Sequence, residues 1–466
     1  MLAIFCGCSQ PTEVQAPASP NTQQSRLPNV LFILADTLRA DQITKRRNDI
    51  ALMPNLAEFA AESWDYRAAR TQSTWTKPSM ASIFTSLYPG VHNVLYGIEG
   101  EIRAEKLPQT NVLPPGLETM AEYFAANGYS TGAVQSNANI TSHFGFAQGF
   151  DSFEVKRFPE FKANEITDYA ITAMAELGPP FFFYAHYMDT HAPYTAPDEY
   201  VEKIGPLPEL SEQDAALLKD YGESYRDRIF FEVGLTTQRK YGNLSKNGEE
   251  YVRAKYDASS LHLDAEVSRL IRHVRERYPE TIIVFTSDHG EELWEHGSIG
   301  HGKTVYEELT RVPLIIHAPG RPPRQIDAPV ETIDLLPTCA ALLGLPAKSE
   351  WQGANIGSAA LPADRPVFSS TKMSMSGSNR DLEAVVKEGQ KLLVDHKAGV
   401  STLFDLENDP GEASGTVLNS SQHTLTEALA EFVARNKEHP LLQTVSTSTG
   451  LTPEQEENLR TMGYVK

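Results

Sequence analysis

The sequence predicts an α/β fold: a mostly parallel central sheet flanked by helices, followed by a small C-terminal antiparallel sheet subdomain. Three observations predict it. Asn29 to Asp36 (NVLFILAD), Phe181 to Met188 (FFFYAHYM) and Thr281 to Ser287 (TIIVFTS) are continuous apolar runs, the pattern of strands buried on both faces. Amphipathic helical stretches at Ala163 to Leu177 and Val252 to Arg277 alternate with them, the rhythm of a sheet covered on both sides. From about Pro366 the pattern changes to short strand candidates separated by turn residues.

Taken in order, Met1 to Ser9 is short, apolar and rich in small residues, and it resembles the end of a bacterial lipoprotein signal with Cys8, after Gly7, as the lipidated residue. That places the chain in a bacterial cell envelope, periplasmic or anchored through lipid. Residues 9–28 are Pro, Gln, Ser and Thr with few apolar groups and read as a disordered tether, so 1–28 stands apart from the folded body. The catalytic domain spans 29–365. After its first strand come a helix at Pro54 to Ser63, a helix-like run at Ala81 to Leu87, a helix at Leu117 to Asn127 ended by Gly128, and a strand at Ser130 to Gln135. Pro179-Pro180 launches the strand from Phe181. Residues 197–246 break the rhythm: the stretch is polar, contains Pro206 and Pro208 and lacks clear strands, so it reads as an inserted helical excursion. Val312 to His317 is a further strand. In the C-terminal subdomain, 366–466, strands are expected at Val367 to Ser370, Leu382 to Lys387, Lys391 to Asp395 and Thr402 to Asp405, with helices at Thr424 to Asn436 and Pro453 to Met462.

The 466 residues are 41% hydrophobic and 22% charged, enough for a large core. A net charge of −20 argues against nonspecific nucleic-acid binding, which needs a basic face, but says little about a small anionic substrate, because one metal ion dominates a local field. There are three cysteines, and only Cys339 falls in the folded body, in an apolar helical run, so no disulfide framework is expected. No apolar run approaches the ~20 residues of a membrane span.

Ligands of an open parallel sheet bind beyond the carboxyl ends of its strands. Asp36, Asp189, Asp288 and His289 fall at or just past such ends. Gly290 lets the backbone turn sharply after Asp288-His289, aiming both side chains toward one point. A mixed carboxylate and imidazole set suits zinc or manganese better than calcium. Thr76 precedes Lys77-Pro78, and Pro78 suits the first turn of a helix whose exposed N–H groups can hold an anion. His191 and His301 lie in loops, the second among glycines that leave room for a ligand; His296 reads as a solvated surface residue, and His186, alternating within an apolar strand, as a satisfied core histidine. Lys77, Asn137 and Lys303 are the candidate substrate-binding residues.

These motifs resemble the sulfatase family of the alkaline phosphatase superfamily over most of the chain. The matching segments are Asn29 to Asp41, Met53-Pro-Asn-Leu56, Pro78-Ser79 with Tyr88-Pro-Gly-Val-His92, Asp189-Thr-His191-Ala-Pro193-Tyr194, Ser287-Asp-His-Gly-Glu291, Tyr306-Glu-Glu308 with Arg311 to Ile316, and Leu403 to Pro410. The departures concentrate on one function. Sulfatases carry Cys or Ser, converted to formylglycine, then x-Pro-x-Arg; here Thr76 and Met80 stand at the first and last positions. Thr37 replaces the second Asp of the first strand end, His289 stands where Asn or Asp is usual, and the Gly-Lys-x-His segment is absent. Threonine at this position resembles the superfamily's phosphodiesterases and its phosphoethanolamine and phosphoglycerol transferases. That resemblance implies a metal shell of Asp36, Thr76, Asp288 and His289, with His191 and His301 contacting the transferred phosphoryl group or a second metal.

The expected function is therefore cleavage of a phosphate mono- or diester through a covalent Thr76 intermediate, with a small anionic ester as substrate and a divalent metal, zinc or manganese rather than calcium, as cofactor. Thr76, His191 and His301 are the expected catalytic residues. Three other readings stand beside it: a sulfuric ester hydrolase working without formylglycine, a phospho-group transferase, and a non-catalytic surface lipoprotein.

Overall fold

In a computed structural model of the chain, residues 27–95, 112–156, 161–227, 243–358, 361–375, 378–418 and 423–442 are described. The proposed lipidation site Cys8, nearly all of the 1–28 tether and the helix expected at Pro453 to Met462 lie outside them. Among the described residues no helix is long and apolar enough to cross a membrane.

The main sheet has eight strands: β1 (Asn29–Ala35), β2 (Trp64–Tyr66), β3 (Ser130–Gln135), β4 (Ser152–Val155), β5 (Phe181–Tyr187), β6 (Thr281–Thr286), β7 (Leu314–His317) and β8 (Arg324–Ile326), in the spatial order β8-β2-β7-β6-β1-β5-β3-β4. β1 is central and runs parallel to both neighbours, with Val30 opposite Phe182 and Ile282. The strand expected at Val312 to His317 is the exception to the parallel pattern. As β7 it runs antiparallel to β6 and β2; the chain between β6 and β7 holds a two-stranded hairpin and one short helical turn, and no helix that would cover a face of the sheet in a parallel crossover.

The continuous apolar character of β1 follows from burial on both sides. Val30, Phe32 and Leu34 join one core cluster, and Leu31, Ile33 and Ala35 join the other. Against the first face pack helices α2 (Thr76–Thr85), α3 (Met120–Ala126) and α6 (Leu335–Leu342), where Cys339 is buried as expected. Against the second pack α1 (Pro54–Ala61), α4 (Ala163–Leu177) and α5 (Lys246–Arg277). The short strands β2, β4 and β8 carry little sequence signal because they are three or four residues long. Within 197–246 the described part contains helices Asp198–Lys203 and Glu212–Asp227 and no strand.

The C-terminal part is a five-stranded antiparallel meander, β9 (Val367–Met375), β10 (Ser378–Lys387), β11 (Gln390–Asp395), β12 (Val400–Asp405) and β13 (Thr416–Val417), covered by α7 (Thr424–Glu438). It docks through apolar and charged contacts. Phe368 stacks on Phe432 at 3.9 Å, and Tyr88, just beyond α2, packs edge-on against Phe432 at 4.6 Å. Mostly buried Glu307 bonds Arg70 at 2.7 Å and lies 3.4 Å from Lys391 of β11. Burial opposes its charge, but Arg70 and Lys391 more than offset it and hold the carboxyl at about 2, below its ordinary 4.5. A carboxyl lowered on folding adds stability above its unfolded value and loses it as pH falls through the folded one. Glu307 should thus contribute on the order of 3 kcal/mol above pH ~4.5. Glu307→Gln is expected to lower the unfolding midpoint at pH 7, and the difference should shrink as pH falls from ~4.5 toward ~2; a pH-independent difference would refute this account of the ion pair.

Candidate functional site

Three strands, β6, β1 and β3, deliver residues to one end of the sheet. Asp36 follows β1, Asp288 and His289 follow β6, and Asn137 follows β3. Thr76 is the first residue of α2, whose ten residues are all buried, so the helix cannot shift without disturbing the core. Its hydroxyl lies 3.5 Å from His289 Nε2 and 3.3 Å from Asn137 Nδ2. Asp36, Asp288 and His289 each offer a ligand atom, all within 4.8 Å of one another. Thr76, Asp36, Asp288, His289 and Asn137 are thus brought together by elements that lie far apart in sequence.

The local backbone explains the aim of each group. A Cβ on Gly290 would stand 1.9 Å from the Glu308 carbonyl, so only glycine lets the chain pass this close after His289. His289 places Nδ1 2.9 Å from the Gly290 carbonyl, which orients Nε2 toward Thr76. Thr37 has a left-handed backbone, φ 58°, unusual for a β-branched residue. Three hydrogen bonds hold it: its N–H to Asp288 Oδ1 at 3.2 Å, its hydroxyl to the Thr190 carbonyl at 2.5 Å, and the Tyr256 hydroxyl to its own carbonyl at 2.9 Å. The hydroxyl standing at the position of the family's second aspartate is therefore spent on a backbone carbonyl.

Each carboxylate has one oxygen held and one left open. Asp36 Oδ2 accepts from Asn137 Nδ2 at 2.6 Å and meets His186 Nε2 at 3.0 Å, while Oδ1 is buried without a hydrogen-bond partner. Asp288 Oδ1 accepts from the N–H groups of Thr37 and His289, at 3.2 and 2.9 Å, and Oδ2 is buried without a hydrogen bond, 3.3 Å from His289 Nε2. Burial and the facing Asp36 charge raise the Asp288 pKa. Burial works against the Asp36 charge too, but the hydrogen bond with His186 and the nearby imidazoles hold its pKa down. Burial keeps His289 neutral, the form that ligates metals. Two orphaned buried carboxylate oxygens facing a neutral imidazole and a hydroxyl form a donor set with an electrostatic deficit that one divalent cation would fill.

His191 and His301 border this cluster. The His301 ring lies 4.4 Å from that of His289 and 5.2 Å from that of His191. Glu291, buried beside the metal-type residues, bonds His301 Nδ1 at 2.9 Å and the Tyr194 hydroxyl at 3.1 Å, tying the two histidine loops together. The Thr371 hydroxyl of β9 donates to the Gly302 carbonyl at 2.7 Å, so the C-terminal sheet also supports the His301 loop.

Other expected residues sit differently. The Lys77 amine lies 3.5 Å from the centroid of the Phe144 ring, and burial lowers its pKa to about 7. Lys303 donates to the Ile299 carbonyl at 3.0 Å; burial lowers its pKa to about 8, against the pull of Glu292 and Glu291. Among the described residues neither amine pairs with Asp36 or Asp288. Asp189, although past a strand end, is not brought to the cluster: it meets His262 Nδ1 at 2.9 Å and accepts from the Ala163 N–H that opens α4. His296 is not a solvated surface residue. It pairs with Glu308 at 2.9 Å and stacks on Tyr306 at 3.7 Å, because the chain from 296 to 308 folds back on itself against the C-terminal sheet. His186 is a satisfied core histidine as read, yet its partner is Asp36; the signal was a polar pair, Tyr184 and His186, two apart on an otherwise apolar strand and so on one face.

The sulfatase family model matches residues 28–345, more than half of the chain. The chain belongs to the sulfatase family. It is 27% identical over 373 residues to the uncharacterized sulfatase YidJ of Escherichia coli, covering 71% of this chain and 70% of that one. It is 26% identical over 392 residues to human iduronate 2-sulfatase, covering 68% and 69%. Among solved structures, the phosphonate monoester hydrolase of Silicibacter pomeroyi superposes with a TM-score of 0.68 at 20% identity, over 88% of this chain and 96% of that one, which shows a shared fold. Membership places this sulfatase-family chain among ester hydrolases.

Proposed function

We propose that this sulfatase-family protein cleaves a phosphoric ester through its own Thr76 hydroxyl. The observation that carries the reading is a threonine, a residue that cannot become formylglycine, at the start of a fully buried helix, 3.5 Å from His289 Nε2 and 3.3 Å from Asn137 Nδ2, beside two unpartnered carboxylate oxygens. Asp36 Oδ1, Asp288 Oδ2, His289 Nε2 and Thr76 Oγ1 would hold one divalent ion, and three oxygens with one nitrogen favour zinc or manganese over calcium. Such an ion supplies Lewis acidity, lowering the hydroxyl's pKa and screening phosphoryl charge.

The chain's own groups account for the rest. Thr76 Oγ1, its proton lost to solvent, forms the bond to phosphorus as the ester P–O bond breaks. The N-terminal end of α2 and the Asn137 amide bind the phosphoryl oxygens. With Nδ1 held by Glu291, His301 presents Nε2 on its opposite edge, where it gives a proton to the departing alkoxide; His191 lies beside it. Water, its proton taken up by the now neutral His301, then attacks phosphorus as the bond to Thr76 Oγ1 breaks. An acceptor alcohol in place of water would make the same site a transferase.

A second reading is a sulfuric ester hydrolase, favoured by the relatives named above as sulfatases. It faces a chemical difficulty: without the hydrated aldehyde, a sulfated threonine has no easy exit. An aryl phosphate, an aryl phosphodiester and an aryl sulfate, assayed side by side with zinc or manganese, separate the two. A phosphoester is expected to turn over with the higher kcat/KM, and a large preference for the sulfate would reverse the assignment. Secretion with a lipid anchor at Cys8 is part of the same proposal, since an envelope enzyme meets extracytoplasmic esters.

A further inference from the structure

Asp36 and Asp288 are held by different means. The closed oxygen of Asp288 is fixed by two backbone N–H groups. That of Asp36 is fixed by side chains alone, His186 at 3.0 Å and Asn137 at 2.6 Å. Asn137 follows a strand end and also donates to Thr76, so its amide is shared. His186 lies within β5, is 0% exposed, and uses both ring nitrogens: Nε2 on Asp36 and Nδ1 2.7 Å from the Tyr184 hydroxyl. Tyr184 is fully buried and packs edge-on against Phe84 of α2 at 5.2 Å. A Tyr184 O–H donating to Nδ1 leaves the proton of a neutral imidazole on Nε2, directed at the aspartate.

We propose that His186 is a positioning residue that keeps Asp36 a one-oxygen ligand and so sets which metal the site prefers. The proposal rests on the metal site of the function proposed above. A carboxylate with one oxygen pinned offers a single donor, which suits four-coordinate zinc. A carboxylate free to rotate can bind through both oxygens, which suits the larger oxygen-rich shell of calcium. The chain Tyr184–His186–Asp36 runs from the core of the sheet to the ligand, and it is a hydrogen-bonded support of the kind that tunes metal sites.

The test uses the full chain stripped with a chelator, with affinities for Zn2+, Mn2+ and Ca2+ measured by competition against a chromophoric chelator. His186→Phe is expected to weaken zinc binding by roughly 10- to 100-fold and to narrow the zinc-over-calcium ratio. His186→Gln, whose amide can donate from near the Nε2 position, should keep the wild-type ratio. Tyr184→Phe, which frees the tautomer, should fall between them, and it carries the test if the buried His186→Phe variant does not fold. Wild-type metal ratios in a folded His186→Phe or, failing that, in Tyr184→Phe overturn the positioning role while leaving the metal site standing. A wild-type chain that binds none of the three ions overturns the metal reading itself, a result visible before any variant is made.

Discussion

Thr76→Ala is expected to lower turnover by at least ~10³-fold while metal content, measured by mass spectrometry on the purified protein, stays close to that of the wild type. The two halves follow from different atoms. The reaction loses a hydroxyl that lies within 3.5 Å of both Asn137 and His289 and opens a helix. The metal site keeps its two carboxylates and its imidazole, which carry the charge; a neutral alcohol is its weakest donor. The helix should also persist, because alanine is the better helix former and Thr76 provides no side-chain cap. Thr76→Ser is the useful companion: it keeps the nucleophile and loses a methyl, so part of the activity should return. Full activity in Thr76→Ala would remove the threonine from the mechanism. Loss of metal together with activity would instead make it chiefly a ligand.

Much of this was legible in the sequence because the determinants are local. The helix at Ala163–Leu177 stands where its periodicity placed it, and β1, β5 and β6 follow from apolar runs of six to eight residues. Asp36, Asp288 and His289 could be gathered because strand ends of a parallel sheet share one edge. What sequence could not carry was pairing at a distance. The reversed direction of β7 depends on which neighbour its short lead-in reaches, and residues 314–317 alone encode no direction. Asp189 has the same type and placement as Asp36, yet its strand lets it turn to His262. His186 and Glu291 escaped because their roles are exerted through other side chains, and the partners, Asp36 and His301, are 150 and 10 residues away.

Asp288→Asn should produce two opposite shifts in stability. In the presence of a chelator, the variant is expected to melt above the wild type at neutral pH; with zinc added, the wild type should gain stability and the variant little. The sign follows from the direction in which Asp288 is perturbed. Burial, then the charge of Asp36, raises its pKa above the ordinary 3.8. An acid raised on folding favours the folded state only while it stays protonated, so the metal-free protein loses stability as pH climbs above ~3.8. An amide of the same shape removes that repulsion, and its oxygen can still accept from the Thr37 and His289 N–H groups. A bound dication reverses the balance, because the repulsion between two anions becomes attraction to a common partner, and the ion stabilises the chain in proportion to its affinity. The pH dependence supplies an internal control: the chelator-treated difference between wild type and variant should shrink below pH ~4, where the wild-type carboxyl is protonated in both states. A variant less stable than the wild type in chelator, with no response to pH, would mean that Asp288 serves the fold through its hydrogen bonds alone, and that the two open carboxylate oxygens are not held apart for a cation.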